Sequence, residues 1–374
     1  MSTTTTARRP VPHAPTAARP NPLLRLGNRL LLDPTLGVIT LLVLVCVVSA
    51  FVLPEFLTTT NLTNLLSNSL IVMILAMGMT VVLVSGGIDL SIGAVMALCA
   101  GVTAKSLLAG LPLFAAFLCG LACGMVVGVG NGLLVTWLKL PDFIATLAMM
   151  GFASGVLYIW TGGVPVLGYM VAEYYYVGGL TPLFGSVTAP MLIALVLAVV
   201  LAVVLGRTRL GTHLFAVGSN RLAARQSAVR VERVRVLAYV VSGAAAAVAG
   251  IILAGRNTNV PADLGNGYEV QAIAAAVIGG AALSGGRGRI LGAVLGALTL
   301  AATINIINLE GVPSSYQRIV IGAILLVAVL ANRGSDLMSA AARQRRAARA
   351  GVATGASPPE IDTPDSPAER TEQS

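Results

Sequence analysis

The chain has 374 residues, of which 56% are hydrophobic and only 10% charged, and its mean hydropathy is +0.87. Soluble domains carry about 25% charged residues, so water cannot be the main solvent of this surface, and a conventional soluble enzyme is excluded. The net charge of +9 would suit nucleic acid, but the basic residues gather at the ends of apolar runs, which points to a membrane and to no nucleic-acid partner.

A helix that crosses the hydrocarbon core needs about 20 mostly apolar residues. In chain order, residues 36–53, 64–84, 89–108, 112–136, 141–160, 189–206, 235–254, 269–283, 290–309 and 318–332 come close. The expected fold is all-α, a polytopic membrane helix bundle of about ten transmembrane helices. The eighth and tenth segments are short, and Gly-rich breaks beside several others predict interrupted or re-entrant helices. Residues 1–35 read as a disordered basic tail, 36–332 as the membrane domain, and 333–374 as a second disordered tail, Pro-rich and acidic at its end. The first apolar run is long and ends without a small-x-small cleavage site, so it reads as a retained span, not a signal peptide.

Short cytoplasmic loops collect Lys and Arg. With the N-terminus inside, the basic residues of both tails, Lys139, the arginines from Arg207 to Arg235, Arg287 and Arg289 all fall on the inner side. Of the 24 Lys and Arg residues only Lys105, Arg256 and Arg318 fall outside. Both termini are therefore expected in the cytoplasm, with the arginine clusters against anionic membrane lipid.

Ser85-Gly86-Gly87-Ile88-Asp89-Leu90-Ser91 interrupts the apolar pattern between the second and third segments. A carboxylate at membrane depth is costly and is kept for a pathway, a pair or a cap. Asp89 has two readings: a cap on the following helix, or a group lining a translocation path. Ser284-Gly285-Gly286 and the residues after it echo this segment, a weak sign of duplication that hints at two helix–break–helix units around a common centre.

Within 207–235, Ser219 or Asn220 can cap a short helix running through Gln226, and Ser227 can begin the exit turn. Small on one face and basic on the other, this helix suits either the membrane surface or a groove on a cytoplasmic partner. Gly120, Gly124, Gly128 and Gly132 recur every fourth position, which predicts close helix packing more than a pore lining. Asn131, Asn305 and Asn308 read first as interhelical hydrogen-bonding residues. Asn131 and Glu269 also join Asp89 as candidates for the path or its breaks.

No GxxxxGK[ST] loop surrounds Lys105 or Lys139, so the chain has no P-loop for ATP. His13 and His213 lack partners at metal spacing, the four cysteines form no CxxC, and no catalytic pair is visible. No catalytic, cofactor or metal site is expected. Proton-driven carriers usually keep several intramembrane ionisable groups; Asp89 and Glu269 are too few, so the energy must come from another molecule.

One set of ordered motifs runs from about residue 60 to 332. It comprises Gly78-Met79-Thr80 followed by Ser85 through Gly93, Asn131-Gly132, Phe143-Ile144-Ala145-Thr146-Leu147, and Thr161-Gly162-Gly163 with Pro165-Val166. It continues with Asn220, Ala223, Ala224 and Ser227, then Tyr239 with Ser242-Gly243, Tyr268-Glu269, and Gly279-Gly280 through Gly288. In these the chain resembles the membrane-spanning permease subunits of bacterial ABC importers for ribose, xylose and related sugars. It departs from them at Ala228, where the family often has Gly, at Asp142, where a second proline is common, and at Ser154-Gly155, where an Arg-Gly pair is common.

The resemblance implies a non-catalytic inner-membrane subunit that translocates a pentose or similar sugar or polyol by alternating access. Its partners would be an ABC ATPase subunit that binds the ATP, an extracytoplasmic sugar-binding protein, and a second permease, identical or different. Gly218, Asn220, Ala223, Ala224 and Ser227 would form the ATPase-coupling loop, and Ser85, Gly86, Gly87, Asp89, Ser91, Ser284, Gly285 and Gly286 the path or helix breaks. Alternatives are a permease for branched-chain amino acids or nucleosides, and an ion-coupled secondary carrier.

Overall fold

The computed structural model describes residues 34–179, 181–313 and 315–330; the expectations for the two tails lie outside the described residues. Among the described residues the chain is helical, with no strand and isolated backbone bridges at Val166–Val260 and Phe184–Val187. The helices are α1 (Pro34–Val52), α2 (Thr59–Val84), α3 (Ile92–Leu108), α4 (Leu113–Thr136), α5 (Asp142–Thr161), α6 (Ala172–Gly178), α7 (Ala189–Arg207), α8 (Arg209–Ser219), α9 (Arg221–Gln226), α10 (Val231–Asn257), α11 (Tyr268–Ile278) and α12 (Ile290–Leu309). The last is α13 (Ser315–Leu330).

Seven of these, α1, α2, α4, α5, α7, α10 and α12, are long and apolar enough to cross a membrane, and α3, α11 and α13 are apolar but shorter. They fall on the apolar segments of the sequence one for one. The expected interruption is clearest in α11: its 11 residues rise about 16 Å at 1.5 Å each, half of a hydrocarbon core of about 30 Å.

Burial sorts the helices into a centre and a rim. α2 is buried without a break from Ser69 to Val84, and α10 is buried over most of its length. At the rim, α1, α5 and α7 expose large apolar side chains, with Phe51 at 89% and Ile159 at 82% exposure. Such an apolar girdle is stable only against lipid or another protein. The glycine stripe of α4 packs as its spacing suggests. A Cβ at Gly124 or Gly128 would collide with the carbonyl oxygens of Gly243 and Tyr239 on α10, and one at Gly120 with Thr103 on α3. Backbones in lipid approach this closely only where side chains are small.

The basic residues separate between the two ends of the bundle. At one end Arg289 donates to Thr35 Oγ1 at 2.8 Å, Arg235 pairs with Asp142, and Lys139 shares a groove with Arg221 and Arg225. At the other, Arg256 donates to the Ser67 carbonyl at 2.7 Å. There the hydroxyls of Tyr169 and Tyr174 donate to the carbonyls of Ala254 and Ile251. Burial raises the Tyr169 and Tyr174 hydroxyls well above the ordinary phenol range, so both stay neutral donors and pin the 162–179 segment to α10.

Candidate functional site

α2 stops at Ser85, whose hydroxyl turns back to the Val82 carbonyl at 2.8 Å. Gly86 follows at φ +75°, a left-handed conformation that favours glycine. The chain then re-enters the bundle. The Tyr239 hydroxyl donates to the Ile88 carbonyl at 3.2 Å, and the Leu90 N–H donates to Thr146 Oγ1 at 3.1 Å. By Asp89 the segment has reached Ser242, near the middle of α10, so α3 begins inside the bundle and not at its surface.

Asp89 is 2% exposed and its carboxylate is filled. Oδ1 accepts from the Ser91 N–H at 3.0 Å and the Ser91 hydroxyl at 2.6 Å, and Oδ2 accepts from the Ser242 hydroxyl at 2.7 Å. Ser91 Oγ accepts in turn from Asn131 Nδ2 at 2.8 Å, which ties α4 to the same point. The expected cap is modified: Ser91 is the N-cap of α3 and makes no side-chain capping bond. Asp89 stands two residues ahead of it and holds the turn. Asn131 is the interhelical residue expected, with its Oδ1 buried and unpartnered among the described residues. Asn305 and Asn308 likewise bond across helices, to Asn61 and Gln317.

The two similar segments meet. Gly286 N–H donates to the Val84 carbonyl at 3.0 Å, and a Cβ at Gly285 would lie 2.8 Å from the Gly86 Cα. The third partner at this junction is the basic segment. Gly218 sits so close that a Cβ there would collide with the Val84 carbonyl oxygen, and Arg221 Nη2 donates to the Gly86 carbonyl at 2.8 Å. Burial, with Arg235 close by, lowers the Arg221 guanidinium from its ordinary value.

Asn220 caps α9, its side chain accepting from the Ala223 N–H at 3.0 Å, and Ser227 follows as the C-cap. Ala224 is buried, while Leu222, Ala223 and Ser227 are exposed. Ala228 stands at φ +59°, the left-handed turn where the resembling family often has glycine. Ser284 is exposed. Glu269 lies away from this junction, at the start of α11, where Oε1 accepts from the Gly267 N–H at 3.2 Å.

Two parts of the site go beyond the sequence reading. One is the ion pair of Arg235 with Asp142, at 2.6 and 2.7 Å, beside Gly87 and Tyr239. The other is Ser242 as the second donor to Asp89. A serine-glycine pair in a span is a faint signal for such a contact, and the ion pair has none.

Known proteins resemble the chain over this whole region. The family described as branched-chain amino acid transport system / permease component matches residues 61–329. The ribose import permease protein RbsC of Bacillus subtilis (strain 168) is 39% identical over 309 residues, 81% of this chain and 92% of the relative. RbsC of Escherichia coli (strain K12) is 38% identical over 296 residues, 79% of this chain and 92% of its own. The autoinducer 2 import system permease protein LsrC of Escherichia coli O9:H4 (strain HS) is 36% identical over 292 residues, 77% and 84% of the two chains. No solved structure gives a significant match. The apolar helices, the glycine-built junction and these relatives agree: the chain belongs to this family of membrane transport permeases and is a multi-pass protein of the cytoplasmic membrane.

Proposed function

We propose that this chain is the permease subunit of an ABC importer for a sugar, most simply a pentose such as ribose. ATP is bound and hydrolysed by a separate subunit, and an extracytoplasmic binding protein delivers the solute. The end that carries α8, α9 and the basic residues faces the cytoplasm, as do both termini. A second permease, identical or different, completes the pathway.

The observation that carries the mechanism is the three-way contact of Gly218 and Arg221 with Val84–Gly86 and Gly285–Gly286. α9 offers an exposed face of Leu222, Ala223 and Gln226 to a partner, with Arg225 paired to Glu232 at the start of α10, while its root is wedged between two helix breaks. A push on α9 therefore has a short route to the ends of α2 and α12. From Gly86 the displacement continues along 87–91 to Asp89, and through its hydrogen bonds to α4 and α10. No ionised group beyond Asp89 is needed, because the work is done on the partner.

The test is uptake in cells or vesicles that contain the whole importer. Deleting 218–229, or reversing the charge of Arg221 and Arg225, abolishes sugar uptake and leaves membrane insertion intact. Undiminished transport by either variant eliminates α9 as the coupling element. Import of leucine but of no sugar would transfer the chain to the amino-acid branch of the family.

A further inference from the structure

Away from the α9 junction, a cavity of about 270 Å³ opens between α2, α11, α12 and α13. Its polar lining is almost wholly carboxamide: Asn68, Gln271, Asn305, Asn308 and Gln317, with the Tyr268 ring beside them. No ionised side chain lines it. The volume lies just under the range of roughly 300–1,000 Å³ usual for small-molecule pockets, which suits a small solute.

Several of these amides are already oriented. Asn305 exchanges two hydrogen bonds with Asn61, at 3.0 and 2.8 Å. Asn68 Oδ1 accepts from Arg256 at 2.7 Å, and Gln317 Nε2 donates to Asn308 Oδ1 at 2.7 Å. Gln271 and Tyr268, one turn apart on α11, differ. Both are half-buried, and neither the carboxamide nor the hydroxyl has a hydrogen-bond partner among the described residues. Both are left open by the protein on the cavity wall, where a hydroxyl-bearing molecule that enters can bond to them.

The chemistry selects that partner. A carboxamide both donates and accepts, as a hydroxyl does, so a ring of amides matches a molecule that carries a hydroxyl on each carbon. A zwitterionic amino acid would find no carboxylate on these walls for its ammonium group, and the nearby Arg256 already has its donors engaged by Ser67 and Asn68. α11, too short to span the hydrocarbon core, follows a close backbone crossing of Gly265 with Gly93, and interrupted helices are where many transporters place solute sites.

We propose that this cavity is a transient resting site for one neutral polyhydroxylated solute, a single monosaccharide ring, on its way through the permease. The assignment rests on the sugar-import reading above. Neutral hydrogen bonds hold such a ring loosely enough to release it onward.

The experiment uses the complete importer in vesicles, with a panel of labelled monosaccharides led by ribose, and reads uptake and ATP hydrolysis together. The double variant Gln271→Leu, Asn308→Leu removes two sets of bonds, at about five-fold each. Uptake falls roughly 25-fold while sugar-stimulated ATP hydrolysis stays near wild type, so fewer sugars move per ATP. Asn308→Gln, which keeps the amide, retains most of the uptake. Wild-type sugar import with an unaffected double variant, or uptake and hydrolysis falling in parallel, overturns the subsite alone. A wild-type importer that moves no monosaccharide overturns the underlying reading and the subsite with it.

Discussion

A carboxylate inside a lipid-embedded bundle persists only if its oxygens are filled, and Asp89 is filled by three donors on Ser91 and Ser242. A fourth hydrogen bond, Asn131 to Ser91, makes one carboxyl the meeting point of α4, α10 and the entrance to α3. Hydrogen bonds to a charged group contribute roughly 1.5–3 kcal/mol each, and an unmatched buried donor costs more than a bond never made. Asp89→Ala strands two hydroxyls and a backbone N–H, and so destabilises the protein by about 3 kcal/mol or more. Asp89→Asn keeps the shape and one acceptor oxygen and loses less. Thermal unfolding in detergent orders the three proteins as wild type, Asn, Ala. An alanine variant that melts with wild type would remove Asp89 from any structural role.

Between elements, the Arg235–Asp142 pair fastens the first turn of α5 to α10 at the basic end. Both groups are largely withdrawn from solvent, with side-chain exposures of 6% and 18%. Removing one member of a buried pair costs roughly 3–5 kcal/mol, because the other charge stays behind, whereas well-packed apolar replacement of both is often neutral. Arg235→Met and Asp142→Leu each lower the unfolding midpoint sharply, and the double variant recovers most of it. Equal melting of single and double variants would mean that the two charges are not coupled.

The same scale shows what one sequence can and cannot disclose. The apolar helices are legible because bilayer thickness fixes their length, and their ends shift only where local chemistry intervenes. The second span begins at Thr59 instead of 64, since Thr58 accepts from the Asn61 N–H at 3.3 Å and starts the helix early. α9 is legible for a similar reason: Asn220 and Ser227 sit within one short stretch, and capping is a local act. α6 and α8 escape notice, being too short for a membrane period and flanked by polar residues. Asp89 with Ser242, and Asp142 with Arg235, lie far apart in the chain, and no local pattern records which distant partner folding will supply.

At the scale of the whole molecule, the lipid-facing rim, the buried α2 and α10, and the junction at the basic end are the features on which the proposal of a gate moved by a partner rests. Among the described residues there is no group of His, Cys, Asp and Glu placed to hold a metal ion, and the sequence has no phosphate-binding loop. Among the described residues Asp89 is the one fully buried carboxylate, and its oxygens are filled, where a proton relay would need several ionisable groups. The most direct measurement is sugar accumulation in vesicles that contain this chain with or without the ATPase and binding protein proposed as its partners. With all components and ATP present, sugar accumulates against its gradient, and with the permease alone it does not, whatever ion gradient is imposed. Uphill accumulation by the permease alone on a proton or sodium gradient would contradict the account.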